Sequence, residues 1–195
     1  RGVQVIAHSM GARVALAALP HVEPGQITRL ILLAAAETRG RALKALRTPA
    51  GRTAQVINVT TRENDLFDAC FEWGIHLGLR TSIGQGLGQG LGQLGQGQAS
   101  ADQTPPNWRD LWIDQPATLT MLAALGHPLS DPPRRICHWS PYLRPGTIAL
   151  YRALLDGRIR LGDLPVGRPG RRWSRLLLGA RGFGPVAATQ PLGRA

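Results

Sequence analysis

The sequence predicts an α/β fold in which a mostly parallel sheet carries helices on both faces, and three observations lead there. Short β-branched runs recur at Val3–Ala7, Ile27–Leu33 and Ala54–Thr60. They are apolar at successive positions, so both faces of each strand are covered. Between them lie stretches long enough for a crossover helix, which parallel strands require. At 43% hydrophobic residues in 195, the chain can also build a core, which excludes a wholly disordered, collagen-like or disulfide-scaffold protein.

Val3-Gln4-Val5-Ile6-Ala7 opens the pattern and runs directly into His8-Ser9-Met10-Gly11, then into the helix formers Ala12 to Leu19, which stop at Pro20. This reads as strand, sharp turn, helix. Ala34 to Ala36 and the charged stretch to Arg47 predict a loop and a second helix after the second strand. Past Thr60, Leu66 to Leu79 permits a further helix. The pattern then breaks at a low-complexity Gly/Gln insertion spanning 82–107, whose residues 84–98 are seven Gly, five Gln and three Leu. Glycine at every second position carries a large ordering entropy that three leucines do not offset, so the insertion is expected to be flexible. Order resumes near Trp108, a helix is expected from Pro116 to about Leu125, and Arg134–Cys137 after Pro132-Pro133 reads as a fourth strand. Gly146–Leu155 reads as a last helix, with Ile148, Leu150, Tyr151, Leu154 and Leu155 on one buried face.

The net charge of +11 comes from 23 basic against 12 acidic residues, and 22 of the basic residues are Arg. Together with 24 Gly and 15 Pro this is the profile of a GC-rich coding sequence. Residues 163–195 hold six Arg against Asp163, a basic tail expected to be disordered. Without a recognition motif the charge does not indicate a specific nucleic-acid partner. Arg171 to Leu178 within the tail is basic and apolar, but reads as solvated chain, with no membrane contact expected. No apolar run approaches the ~18 residues of a membrane-spanning helix. Two cysteines, Cys70 and Cys137, give no disulfide framework and fit a reducing, cytoplasmic compartment.

The chemistry concentrates at Ala7-His8-Ser9-Met10-Gly11. A serine on so tight a strand-to-helix turn is lifted above the sheet edge, provided the residues two before and two after it are small. Ala7 and Gly11 meet that condition, and the Met10 N–H at the head of the helix is placed to bind an oxyanion. The competing role for Ser9 is an ordinary helix N-cap. A serine nucleophile needs a base, normally a histidine oriented by a carboxylate. Asp65, just after the third strand, is the expected acid, with Glu63 and Asp68 as rivals. His138, just after the expected fourth strand, is the expected base, the alternative being a histidine packed on Trp139. His8, His21, His76 and His127 fit the role poorly. No Cys, His and Asp spacing resembles a zinc or calcium site, so no metal or other cofactor is expected.

These residues resemble the C-terminal portion of an α/β-hydrolase-fold serine hydrolase. Ala7-His8-Ser9-Met10-Gly11 is similar to the nucleophile elbow of that family, Arg62-Glu63-Asn64-Asp65 to its acid loop, and Cys137-His138-Trp139-Ser140 to its histidine loop. The order Ser, Asp, His agrees with the family, and Ala7 replaces the first elbow glycine. The resemblance covers 1–162 apart from the insertion. It implies an esterase-like activity on a small acyl substrate, with Ser9, Asp65 and His138 as the triad and Met10 at the oxyanion hole. It also implies about a hundred further residues before Arg1, holding earlier strands and a second oxyanion donor.

Overall fold

The runs at 27–33 and 55–60 become strands because their residues fill both faces of one sheet, whereas the run at 3–7, expected to be buried as well, is a strand with Val3, Gln4 and Ile6 exposed. In the computed structural model, which describes residues 2–75, 82–84, 86, 87 and 104–165, the strands are β1 (Val3–His8), β2 (Ile27–Leu33), β3 (Gln55–Thr60) and β4 (Trp108–Trp112). They form one four-stranded sheet in sequence order, parallel throughout. The helices are α1 (Met10–Ala18), α2 (Arg39–Leu46), α3 (Pro49–Thr53), α4 (Asp65–Cys70), α5 (Pro116–Ala124), α6 (Ser140–Leu143) and α7 (Thr147–Leu155).

The side-chain period of two divides each strand between two cores. Leu30 and Leu32 of β2 and Val56 of β3 pack with Ala12 and Leu16 of α1 and with Ala42, Ala45 and Leu46 of α2. Ile31, Leu33, Ile57 and Val59 point the other way, onto Leu122 of α5 and Leu150, Tyr151 and Leu154 of α7. The sheet is therefore the middle of three layers. Removing a buried leucine from either core would cost about 2–5 kcal/mol.

The fourth strand is not where the sequence suggested. Arg134–Cys137 is bend and coil, with Ile136 51% exposed. The prolines at 132 and 133 cannot donate to a ladder, and Arg134 and Arg135 are both exposed. Trp108-Arg109-Asp110-Leu111-Trp112 pairs with β3 instead, from Val56 with Trp108 to Thr60 with Trp112. Its aromatic residues suit a half-buried pleated surface. Asp110 ties the strand down, accepting from Asn58 Nδ2 at 2.8 Å, from Trp108 Nε1 at 3.0 Å and from the Leu87 N–H.

The charged stretch before Arg47 forms α2, and α3 follows it; the Thr48 hydroxyl accepts from the Gly51 N–H and caps α3. The helix permitted over Leu66–Leu79 takes shape as α4 and a π-turn over Phe71–Ile75, and 76–79 lie outside the described residues. Of the stretch 82–107, Ile83 and Leu87 are buried in the α1–α2 core. Ile83 donates to the Glu37 carbonyl and its own carbonyl accepts from Asn58 Nδ2 at 2.7 Å. Residue 85 and residues 88–103 lie outside the described residues, as do 166–195 and with them nearly all of the basic tail. Leu164, at the start of that tail, is buried against the α7 core. On α7 the expected face holds except at Ile148, which is 58% exposed. Among the described residues no helix is long and apolar enough to cross a membrane.

Candidate active site

In a parallel sheet of this kind the C-terminal ends of the strands share one edge, where open α/β sheets gather their functional groups. Ser9 follows β1 on that edge with φ 54° and ψ −124°, one of two non-glycine residues with positive φ among those described. Backbone strain of this sort costs about 1–3 kcal/mol and must be held by its surroundings. Ser9 N–H donates to the Leu33 carbonyl at 2.9 Å, and the Ser9 carbonyl accepts from Ala12 and Ala36 N–H at 3.0 and 3.1 Å. The backbone on either side is thus clamped to β2, α1 and the loop after β2.

The small flanking residues matter here. A Cβ added at Gly11 would stand 3.8 Å from the Ala7 Cβ, at ordinary van der Waals contact, so the space between strand and helix admits an alanine there. Although Ser9 occupies the N-cap position of α1, its side chain makes no capping hydrogen bond. Met10 is the first residue of the helix, where an N–H has no intrahelical acceptor.

His138 reaches the same edge by a different route from the one expected. Since β4 ends at Trp112, His138 does not follow a strand directly; it lies in the loop between α5 and α6. Glu63 holds that loop from both sides. The Glu63 carbonyl accepts from Cys137 N–H at 2.8 Å, and its carboxylate accepts from Ser140 Oγ at 3.0 Å and from the Thr61 hydroxyl. From β1, His8 Nε2 donates to the His138 carbonyl at 3.0 Å. The His8 ring lies 4.6 Å from the His138 ring and stacks on Trp139 at 4.4 Å, and His138 itself meets Trp139 edge-on at 6.2 Å. Phe67 of α4 sits 5.0 Å from the His138 ring.

Burial lowers the His138 pKa below its ordinary value, and the facing His8 adds to the effect. The shift favours the neutral imidazole, the form that a general base requires. Ser9 Oγ and His138 form no hydrogen bond among the described residues; in unliganded sites such contacts are often long and tighten only with substrate.

Ser9, Met10 and His138 thus gather at one edge, joined there through His8. The group at His138 Nδ1 is different from the expected one: it is Asn64 Oδ1, at 2.6 Å, and not the Asp65 carboxylate. Asp65 is buried as the first residue of α4. Adjacent residues on a helical turn project about 100° apart, so only one of the pair can aim at the imidazole. Of the two rivals, Glu63 anchors the histidine loop, and Asp68 stands behind Asn64, accepting from its Nδ2 at 2.9 Å. Sequence reasoning passed over Asn64 because it sought a carboxylate. The available signal was the spacing of Asn64 and Asp68, four residues apart on one helical face.

A groove of about 200 Å³ runs beside β1 between Ile6, Tyr142, Ile148 and Leu155, lined by apolar surface. Neither Ser9 nor His138 lines it. Among the described residues no three His, Cys, Asp or Glu side chains are grouped to hold a metal ion. Comparison of the chain with protein-family models, with curated proteins and with solved structures finds no match.

Proposed function

We propose that the chain is a serine hydrolase acting on carboxylic esters or related small acyl compounds through an acyl-enzyme. The observation that carries this reading is the strained Ser9 turn at the head of α1 with His138 delivered to the same sheet edge. Ser9 Oγ bonds to the acyl carbon as its proton passes to His138 Nε2. The Met10 N–H stabilises the oxyanion, and the protonated His138 returns the proton to the departing alkoxide. Water, deprotonated by the same imidazole, then releases the acid and restores Ser9. The chemistry uses no cofactor. The free thiols Cys70 and Cys137 support a cytoplasmic, reducing setting.

A fluorophosphonate probe tests the assignment directly. Wild-type chain is expected to label, slowly, and Ser9→Ala is expected to lose at least about 100-fold in labelling rate, the scale of a missing catalytic group. Equal labelling of the two would remove Ser9 from the mechanism.

A second reading, a hydrolase-like fold without turnover, draws support from the exposure of β1. Val3 and Ile6, on opposite faces of that strand, are 59% and 44% exposed. A site short of one oxyanion donor would lose about 100- to 1000-fold in rate. Absence of labelling in wild type and Ser9→Ala alike would favour this reading.

A further inference from the structure

We propose that Asn64 and Asp68 act together as positioning residues for His138, an amide relaying a buried carboxylate to the imidazole in place of direct contact with an acid. The inference rests on the reading of Ser9 and His138 as nucleophile and base, and goes beyond it by naming the group that orients the base.

Asp68 fixes the direction of the amide. A carboxylate only accepts hydrogen bonds, so the Asn64 NH₂, 2.9 Å from Asp68 Oδ2, must face it. The Asn64 carbonyl oxygen then faces His138 Nδ1 at 2.6 Å, and that nitrogen must carry the hydrogen. Nε2 is left with its lone pair, the tautomer that accepts a serine proton. Both positioning side chains are enclosed, Asn64 being 1% and Asp68 3% exposed.

Asp68 is held in turn. Ser82 Oγ lies 3.4 Å from its Oδ1, and the missing side chain at Gly84 leaves it room, since a Cβ there would stand 1.9 Å from the same oxygen. The segment over 82–84 therefore backs the relay from behind.

The charged and titratable groups around His138 define the electrostatic consequence. His8 faces it from β1. Glu63 lies beneath its loop, with its carboxylate taken by Ser140 and Thr61. Cys137 precedes it in the chain, and Asp65 and Asp68 belong to α4. At Nδ1 itself the contact is a neutral amide, and the carboxylate of Asp68 acts one side chain further away. The imidazolium is consequently stabilised less than by a carboxylate in contact, and His138 remains an unprotonated base further into the acid range.

Exchanging the two residues tests this. The Asn64→Asp plus Asp68→Asn double variant keeps one amide and one carboxylate in the same space but puts the carboxylate on the imidazole. The His138 titration midpoint, followed by NMR of ¹⁵N-labelled imidazole, and the acid limb of fluorophosphonate labelling are read in each protein. The wild-type midpoint is expected below the ordinary value of about 6.5. In the exchange it should rise by about one unit or more, taking the acid limb with it. Asp65→Asn should leave the midpoint in place. Asn64→Ala should slow labelling by about 100-fold or more, and if that variant does not fold, the exchange alone decides. An unmoved midpoint in the exchange, or a shifted one in Asp65→Asn, overturns the relay. Ser9→Ala that labels like wild type would defeat the hydrolase reading, while the NMR midpoints would still decide the relay.

Discussion

Ser9 holds its hydroxyl above the sheet through a backbone conformation that an L-residue resists, and that resistance can be measured. With φ 54° and ψ −124°, Ser9→Gly should relieve strain that Ser9→Ala retains. The glycine variant is expected to be the more stable of the two by about 1 kcal/mol or more in urea unfolding, while both lose the proposed nucleophile. A reversed order would mean that the turn is not strained. Gly84 poses the opposite constraint. A methyl there meets the Asp68 carboxylate 1.9 Å away, so Gly84→Ala should destabilise by about 1–3 kcal/mol. It should also slow labelling by displacing Asp68, and unchanged stability and labelling would show that the segment moves aside freely.

At the level of elements, the histidine loop is placed by hydrogen bonds to Glu63, not by following a strand. Glu63→Ala leaves the buried Ser140 and Thr61 hydroxyls without their acceptor, at about 1–3 kcal/mol. Its signature should be faster hydrogen exchange at Cys137 and Ser140, and slower labelling; protection equal to wild type would show that the loop is held elsewhere. The same elements show what the residues disclosed in advance. β1, β2 and β3 were legible because short runs rich in β-branched residues suit a strand, although only β2 and β3 are covered on both faces. The strand-turn-helix around Ser9 was legible because Ala7 and Gly11 bracket Ser9 at the junction of a strand pattern and a helix pattern. β4 was not, since Arg109 and Asp110 break its apolar run, and its pairing partner lies about fifty residues back, beyond any local periodicity. Asn64 was missed for a related reason. Which of two neighbouring side chains meets His138 depends on how α4 is rotated against the loop, and that rotation is set by tertiary contacts.

Across the whole molecule, the sheet separates two apolar layers and brings the candidate site residues to one edge, where protonation of His138 links the site to stability. Its pKa is lower folded than unfolded, so the unfolded chain binds more protons between the two values. The stabilisation is full above the unfolded value and is lost as pH falls through the folded one. Urea melts between about pH 8 and pH 5 should show stability falling toward acid near the ordinary imidazole value, with a shallower fall in His138→Gln. An equal slope in the two would assign the acid sensitivity to other groups. The position of β1 has a consequence of its own. Its strand neighbour among the described residues is β2 alone, and in a parallel pair alternate amides point toward and away from that neighbour. Deuterium uptake along Val3–His8 should therefore be uneven, fast at the outward amides and slow at the inward ones. The proposed nucleophile then follows a strand paired on one side among the described residues, and the Ser9-to-Leu33 bond becomes the latch whose opening rate sets how often the turn is lost.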